Sequence, residues 1–124
     1  MILILSPEND LHSITVQKAL TLNGIDSLIF DTSSISLSGS VNFTYQTGKA
    51  ELSVDTGENH FHLNDVSTVW QRRPFFPVIP SIVAKEDKKF AWQELKTATD
   101  SIYQFLSNAF WVNPRQSRAI TDTN

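Results

Sequence analysis

A three-layer α/β domain, with a mostly parallel sheet and an inserted antiparallel meander, is what the order of apolar patterns predicts for this chain. Three observations lead there. A continuous apolar run, Ile2-Leu3-Ile4-Leu5, opens the chain, and a buried-type strand returns at Val66 to Trp70, as strands covered on both faces require. Helix-spaced apolar residues follow the first run and recur late in the chain,. Between residues 35 and 66 the apolar period becomes two, which gives strands with one wet face and so antiparallel ribbons.

Taken in order, Ile2 to Leu5 is the first strand, and Ser6-Pro7-Glu8-Asn9-Asp10 breaks it. A helix follows, capped by Asn9 or Asp10, with His12, Val16, Ala19, Leu20 and Asn23 tracing one stripe,. Gly24 stands where a glycine just past the last turn ends a helix,. Ser27-Leu28-Ile29-Phe30 is the second strand and closes on Asp31. Strand, helix and strand within roughly 30 residues make a βαβ unit, for which a right-handed crossover is expected.

The alternating stretch places Ile35, Leu37, Val41, Phe43 and Tyr45 on one parity, then Leu52 and Val54, then Phe61 and Leu63. Thr47-Gly48-Lys49 and Thr56-Gly57-Glu58-Asn59 are its hairpin turns,. The strand from Val66 runs into Gln71-Arg72-Arg73-Pro74. The prolines of Pro74-Phe75-Phe76-Pro77-Val78-Ile79-Pro80 exclude both helix and central strand,. Lys85 to Ala109 reads as a long helix with Leu95, Ala98, Ile102, Phe105, Leu106 and Ala109 on its apolar stripe, and Phe110-Trp111-Val112 as a final strand. One domain over 1–114 and a polar tail over 115–124 are expected.

Composition narrows the function. Of 124 residues 40% are apolar, including eight Phe, three Trp and two Tyr, enough for a core,. Ten Lys and Arg against 13 Asp and Glu leave a net charge of −3. That provides no basic excess to hold a phosphate backbone, which disfavours nucleic acid. The charge is uneven. Residues 1–66 hold two lysines against eight acids, net −6; residues 67–124 hold eight basic residues against five acids, net +3. An anionic ligand belongs with the second half. With no cysteine, disulfides, thiolate zinc and a cysteine nucleophile are excluded. Apolar runs are far short of the roughly 20 residues of a membrane span. The opening lacks the basic leader and cleavage pattern of a signal peptide, so a cytoplasmic location is expected.

No GxGxxG, Walker-type loop, HExxH or GxSxG is present, and each of the four glycines fits a turn or cap,. His60 and His62 flank Phe61 at strand spacing and share a face. Two such ligands can chelate a metal only with a third from elsewhere, and solvated histidines on a wet face are the simpler reading. Asp10 and His12 follow the first strand and Asp31 the second, at the carboxyl ends where α/β sheets place ligands,. A helix cap and a turn residue are their plainer roles, and for His12 a satisfied helix-start histidine. Trp70-Gln71-Arg72-Arg73-Pro74 is the densest signal. Neighbouring guanidiniums on an extended segment point to opposite sides, so at most one faces a given cleft. Arginine suits bidentate recognition of carboxylate or phosphate; the structural alternative pairs one Arg with Asp31 or Asp65.

These pieces, in this order, resemble the N-terminal pre-ATP-grasp domain of the microviridin-ligase-like enzymes, the graspetide synthetases. The resemblance rests on Asp10-Leu11-His12-Ser13-Ile14, Phe30-Asp31-Thr32, Trp70-Gln71-Arg72-Arg73-Pro74, Phe90-Ala91-Trp92-Gln93-Glu94 and Trp111-Val112-Asn113-Pro114. It covers the chain from residue 1 to about 114, and the paired Asp-x-His-Ser and Trp-x-Arg-Arg-Pro carry its specificity. It implies a Rossmann-like pre-ATP-grasp fold. It also implies a parent enzyme that activates Asp or Glu side-chain carboxylates of a precursor peptide and closes them into esters or amides. Family members continue past the Asn-Pro with domains that hold ATP and magnesium, whereas here Arg115 to Asn124 remain. The resemblance therefore implies no cofactor and no catalytic residue in this chain, whether it is an excised domain, a truncated product or a stand-alone relative.

The expected partners are the precursor peptide and the ATP-grasp core. Trp70, Arg72, Arg73, Asp10, His12 and Asp31 are the candidate substrate-binding residues; Arg72 or Arg73 holds a substrate carboxylate or acyl phosphate, a role inferred from charge and position. The alternative is a binding or homodimerising module that uses Phe75 to Ile79 and the long helix. An independent enzyme built on Asp10, His12 and Asp31 lacks a nucleophile and a cofactor loop.

Overall fold

The computed structural model describes residues 1–32, 40–46, 48–55, 59–72, 79 and 81–112. In chain order they form β1 (Ile2–Leu5), α1 (Leu11–Leu22), β2 (Ser27–Phe30), β3 (Ser40–Gln46), β4 (Lys49–Asp55), β5 (His60–His62), β6 (Thr68–Gln71), α2 (Lys88–Phe105) and β7 (Phe110–Val112). Two compact units result. One contains β1, α1, β2, β6 and β7; the other contains β3, β4, β5 and α2.

The first unit is built on a four-stranded sheet in the order β2-β1-β6-β7. All its pairings are parallel. The register sets Ile2–Leu5 against Ser27–Phe30 on one side and Thr68–Gln71 on the other. With neighbours on both edges, β1 hides Leu3 and Ile4 completely and Leu5 almost so; Val69 of β6 is equally enclosed. Each such side chain stabilises the fold by roughly 1.5–3 kcal/mol. This is why the opening run carries no polar residue. β7 forms as expected but at the sheet edge, where Phe110 and Val112 stay exposed.

Helix α1 begins and ends as its sequence dictates. Asp10 is the N-cap, with extended backbone, and its carboxylate accepts the Ser13 N–H,. At the other end Ile25 N–H reaches Leu20 O and Gly24 N–H reaches Thr21 O, a Schellman closure that Gly24 permits with φ of 73°,. The buried face, however, is not the expected stripe. His12 and Ala19 are exposed, while Ser13 is fully buried and Val16, Gln17 and Leu20 are half-buried. The helix is turned so that Ser13 reaches Ser6 at the end of β1. A polar anchor, absent from any apolar pattern, decides the rotation.

The second unit carries the antiparallel meander in the order β3-β4-β5. Gln46 pairs with Lys49 across a two-residue turn in which Gly48 has φ of 78°. Leu52, Val54 and Phe61 are buried while Glu51, His60 and His62 point to solvent, the alternation expected of a half-wet sheet. Tyr45 departs from its parity, being exposed. Leu63 leaves the strand pattern to start a 3₁₀ turn (Leu63–Asp65) and is buried there. Asn64 ties that turn to β4, donating to Ala50 O and accepting from the Leu52 N–H. α2 is flanked by 3₁₀ turns at Lys85–Asp87 and Leu106–Asn108. Of its stripe Ile102 and Leu106 are buried and Leu95, Ala98, Phe105 and Ala109 half-buried, as its periodicity predicts. Ile35, Leu37, Gly57 and the boundary at 114 lie outside the described residues.

Candidate functional site

Chain order turns at β1. The connection through α1 leads to β2 on one side of it, and the chain returns as β6 on the other. Between the carboxyl ends of β1 and β6 lies the sheet's topological switch point, the place where open α/β sheets hold ligands. A cleft of ≈ 440 Å³ occupies this point, lined by Pro7, Asn9, Asp10, Leu11, His12 and Arg72. Five of these residues come from the loop after β1 and the first turn of α1. The sixth follows β6, and its backbone N–H extends the ladder to Leu5 O.

The polar contacts converge on one carboxylate oxygen. Asp10 Oδ2 accepts from Ser13 Oγ at 2.8 Å and from Ser13 N at 3.3 Å. Arg72 Nε lies 3.3 Å from the same oxygen, with side-chain exposures of 27% for Arg72 and 11% for Asp10. Ser13 Oγ is also 2.7 Å from Ser6 Oγ. The guanidinium's Nη2 is 3.3 Å from His12 Nδ1. Arginine only donates. The contact is therefore a hydrogen bond when Nδ1 is bare, in the tautomer whose proton sits on Nε2. The arrangement offers a positive group, an imidazole beside it, and apolar walls from Pro7 and the exposed Leu11. It can recognise an anion on an apolar stem.

Three sequence candidates thus come together: Asp10, His12 and Arg72. Arg72 takes Asp10 as its ion-pair partner, where the sequence offered Asp31 or Asp65. Asp31 is half-buried at the end of β2, on the far side of β1 from β6, and does not line the cleft. Trp70 is half-buried in β6, opposite Ile4 and Val112, and also lies outside the lining. Arg73 and residues 74–78 of the proline-rich loop lie outside the described residues. Ser6 was not legible as part of the site, because nothing local to it signals the contact with Ser13. His60 and His62 are exposed, their rings 5.3 Å apart and edge to face. Among the described residues no three His, Asp or Glu converge as metal ligands, and no helix is long and apolar enough to cross a membrane.

The fold of this chain is similar to part of several solved ATP-grasp ligases. Macrocyclase MdnB from Microcystis aeruginosa MRC superposes with a TM-score of 0.78 at 20% identity, over 89% of this chain and 36% of that one. A Chryseobacterium gregarium RiPP-associated ATP-grasp ligase, solved with ADP and a leader and core peptide, gives 0.71 at 27% identity, over 89% and 34%. Macrocyclase MdnC from Microcystis aeruginosa MRC, bound with precursor peptide MdnA, gives 0.69 at 24% identity, over 93% and 38%. The chain therefore spans little more than a third of the length of these ligases. It belongs to the MvdD pre-ATP grasp domain family, whose model matches residues 1–119, in agreement with the family its motifs resemble. No curated protein matches the chain closely enough to add to these likenesses.

Proposed function

We propose that this chain acts as the non-catalytic pre-ATP-grasp domain of a cytoplasmic ATP-grasp ligase that closes side-chain carboxylates of a ribosomally made precursor peptide into esters or amides. It forms one wall of the acceptor-peptide cleft and packs against an ATP-grasp core, which supplies the sites for ATP and magnesium. By itself the chain turns nothing over. The observation that carries this reading is Arg72, a guanidinium placed at the switch point of a pre-ATP-grasp sheet and lining an open cleft. There it receives a peptide carboxylate, with Asp10 and His12 positioning it; Trp70 and Asp31 lie outside the cleft lining.

Two measurements test the proposal. Isothermal titration of the chain with Mg-ATP is expected to give no binding, and micromolar affinity would overturn the division of labour. In a complete ligase carrying this domain, Arg72→Ala is expected to lower turnover at unchanged melting temperature. A parallel fall in both would make Arg72 a structural ion-pair residue instead. A second reading, assembly through α2, draws on its exposed aromatics, Phe90 at 67% and Trp92 at 43%,. A dimer in light scattering that Phe90→Ser disperses supports it; a monomer at high concentration removes it.

A further inference from the structure

The cleft contains a mismatch. Arginine binds carboxylates best through two parallel N–H···O bonds of about 2.7–2.9 Å. Asp10 meets Arg72 through one oxygen and one nitrogen at 3.3 Å. Nε of Arg72 is buried and that contact is too long or too bent to be a hydrogen bond. The oxygen it faces already takes two donors from Ser13, one of them at 2.8 Å. Asp10 is thus anchored to its own helix and meets the arginine at a longer distance. Arg72 is held by that charge and by the contact of its Nη2 with His12, and Asp10 does not fill a bidentate pair with it.

From this we infer that Asp10 is an internal stand-in for the ligand carboxylate: a placeholder that keeps Arg72 oriented and neutralised until an acidic peptide side chain displaces it. The inference rests on the reading that Arg72 receives a peptide carboxylate, and adds how that site is regulated. The exchange is inexpensive because Asp10 keeps its cap bonds when Arg72 leaves. The helix start stays intact, and the helix N-terminus continues to favour the Asp10 charge. Asp10 therefore sets a threshold. A monodentate or weakly charged group does not outcompete it, whereas a carboxylate that engages both Nε and an Nη does.

The sign of the effect differs between two neighbouring substitutions. Asp10→Asn keeps a side-chain oxygen for the Ser13 N–H, since Asn caps as well as Asp, but removes the competing charge. Ser13→Ala removes the 2.8 Å donor from Oδ2, leaving Asp10 freer to bind Arg72. The probe is N-acetyl-glutamate N-methylamide, followed by NMR through the backbone amide resonances of Leu11 and His12, which line the cleft, in the full chain, with the glutamine analogue as control. Binding is expected to tighten roughly two- to fivefold in Asp10→Asn, the range an ion pair of this exposure spans, and to weaken in Ser13→Ala. Arg72→Gln is expected to abolish it. If Arg72→Gln abolishes binding while Asp10→Asn and Ser13→Ala leave it unchanged, the placeholder is wrong and the site reading stands. Absence of any glutamate-specific shift, or binding indifferent to Arg72→Gln, overturns the site reading and the placeholder with it. Should Asp10→Asn unfold α1, the Ser13→Ala arm alone decides the sign.

Discussion

The two units use strand direction to opposite ends: one sheet is parallel, the other antiparallel. In the parallel unit every strand finishes on the same edge, so the loop after β1 and the residue after β6 meet there, and Asp10, His12 and Arg72 converge. In the meander neighbouring strands finish on opposite edges. Its polar side chains are spread along a face, as His60 and His62 are, with each other for company and, among the described residues, no third ligand. Strand direction, more than composition, decides where chemistry can gather: both units contain histidine and acids, and among the described residues it is the parallel unit that brings them to a cleft with a cation.

The comparison breaks first, and with the largest effect, at the cores. Leu3 in β1 is fully enclosed between two parallel neighbours. Leu52 in β4 is buried on a sheet whose other face is wet. Leucine-to-alanine changes in cores cost about 2–5 kcal/mol, more where the surroundings cannot relax. Leu3→Ala is expected near the top of that range and Leu52→Ala near the bottom, read by urea denaturation. Equal losses would mean that the meander is packed as rigidly as the parallel sheet.

Next in size is the helix cap that also serves the cleft. Asp10→Ala removes the acceptor for Ser13 N–H and Oγ together with the charge facing Arg72, and should cost between about 1 and 2 kcal/mol. Asp10→Asn should recover most of this. A similar loss for both would place the stabilisation in the charge, and the cap would then be incidental.

How much of this was legible in the sequence follows the range of the interactions. The strand Ile2–Leu5, a helix cap at Asn9 or Asp10 and the Gly24 closure are all set by residues within a helical turn or a strand of one another, and each is readable; the structure selects Asp10 as the cap. The His12–Arg72 contact joins residues 60 positions apart. It exists only because β6 returns beside β1, a fact of strand order that no local pattern contains. The family motifs did place both ends of the site, Asp-x-His-Ser and Trp-x-Arg-Arg-Pro, without saying that they touch. The rotation of α1 was misread for a related reason: its apolar residues are few, and the contact between Ser13 and Ser6 outweighs them.

The glycines test the units at equal footing. Gly24 after α1 and Gly48 in the β3–β4 turn have φ of 73° and 78°, and a Cβ at either would meet nothing within 4 Å. With space available, only the left-handed backbone penalises alanine, at roughly 1 kcal/mol after the gain from a stiffer unfolded chain. Gly24→Ala and Gly48→Ala should therefore lower stability by similar amounts. A much larger loss at one of them would identify a packing demand there that backbone conformation does not supply.

The smallest effect sharpens the contrast between two ion pairs. Lys96 and Asp100 lie one helical turn apart on α2 at 2.9 Å, shorter than the Arg72–Asp10 contact, yet their side chains are 52% and 44% exposed. Pairs of this kind contribute about 0.2–0.5 kcal/mol and fade with salt. Lys96→Ala should lower stability by no more than that, and the difference should vanish in concentrated sodium chloride. The Arg72–Asp10 pair is longer but less exposed, and it shares its oxygen with a buried serine. Salt should therefore weaken its hold on Arg72 less, because water and ions reach it less freely. If the two pairs responded to salt alike, the cleft would be no more sheltered than an open helix face, and a guanidinium there would discriminate no better than a surface lysine.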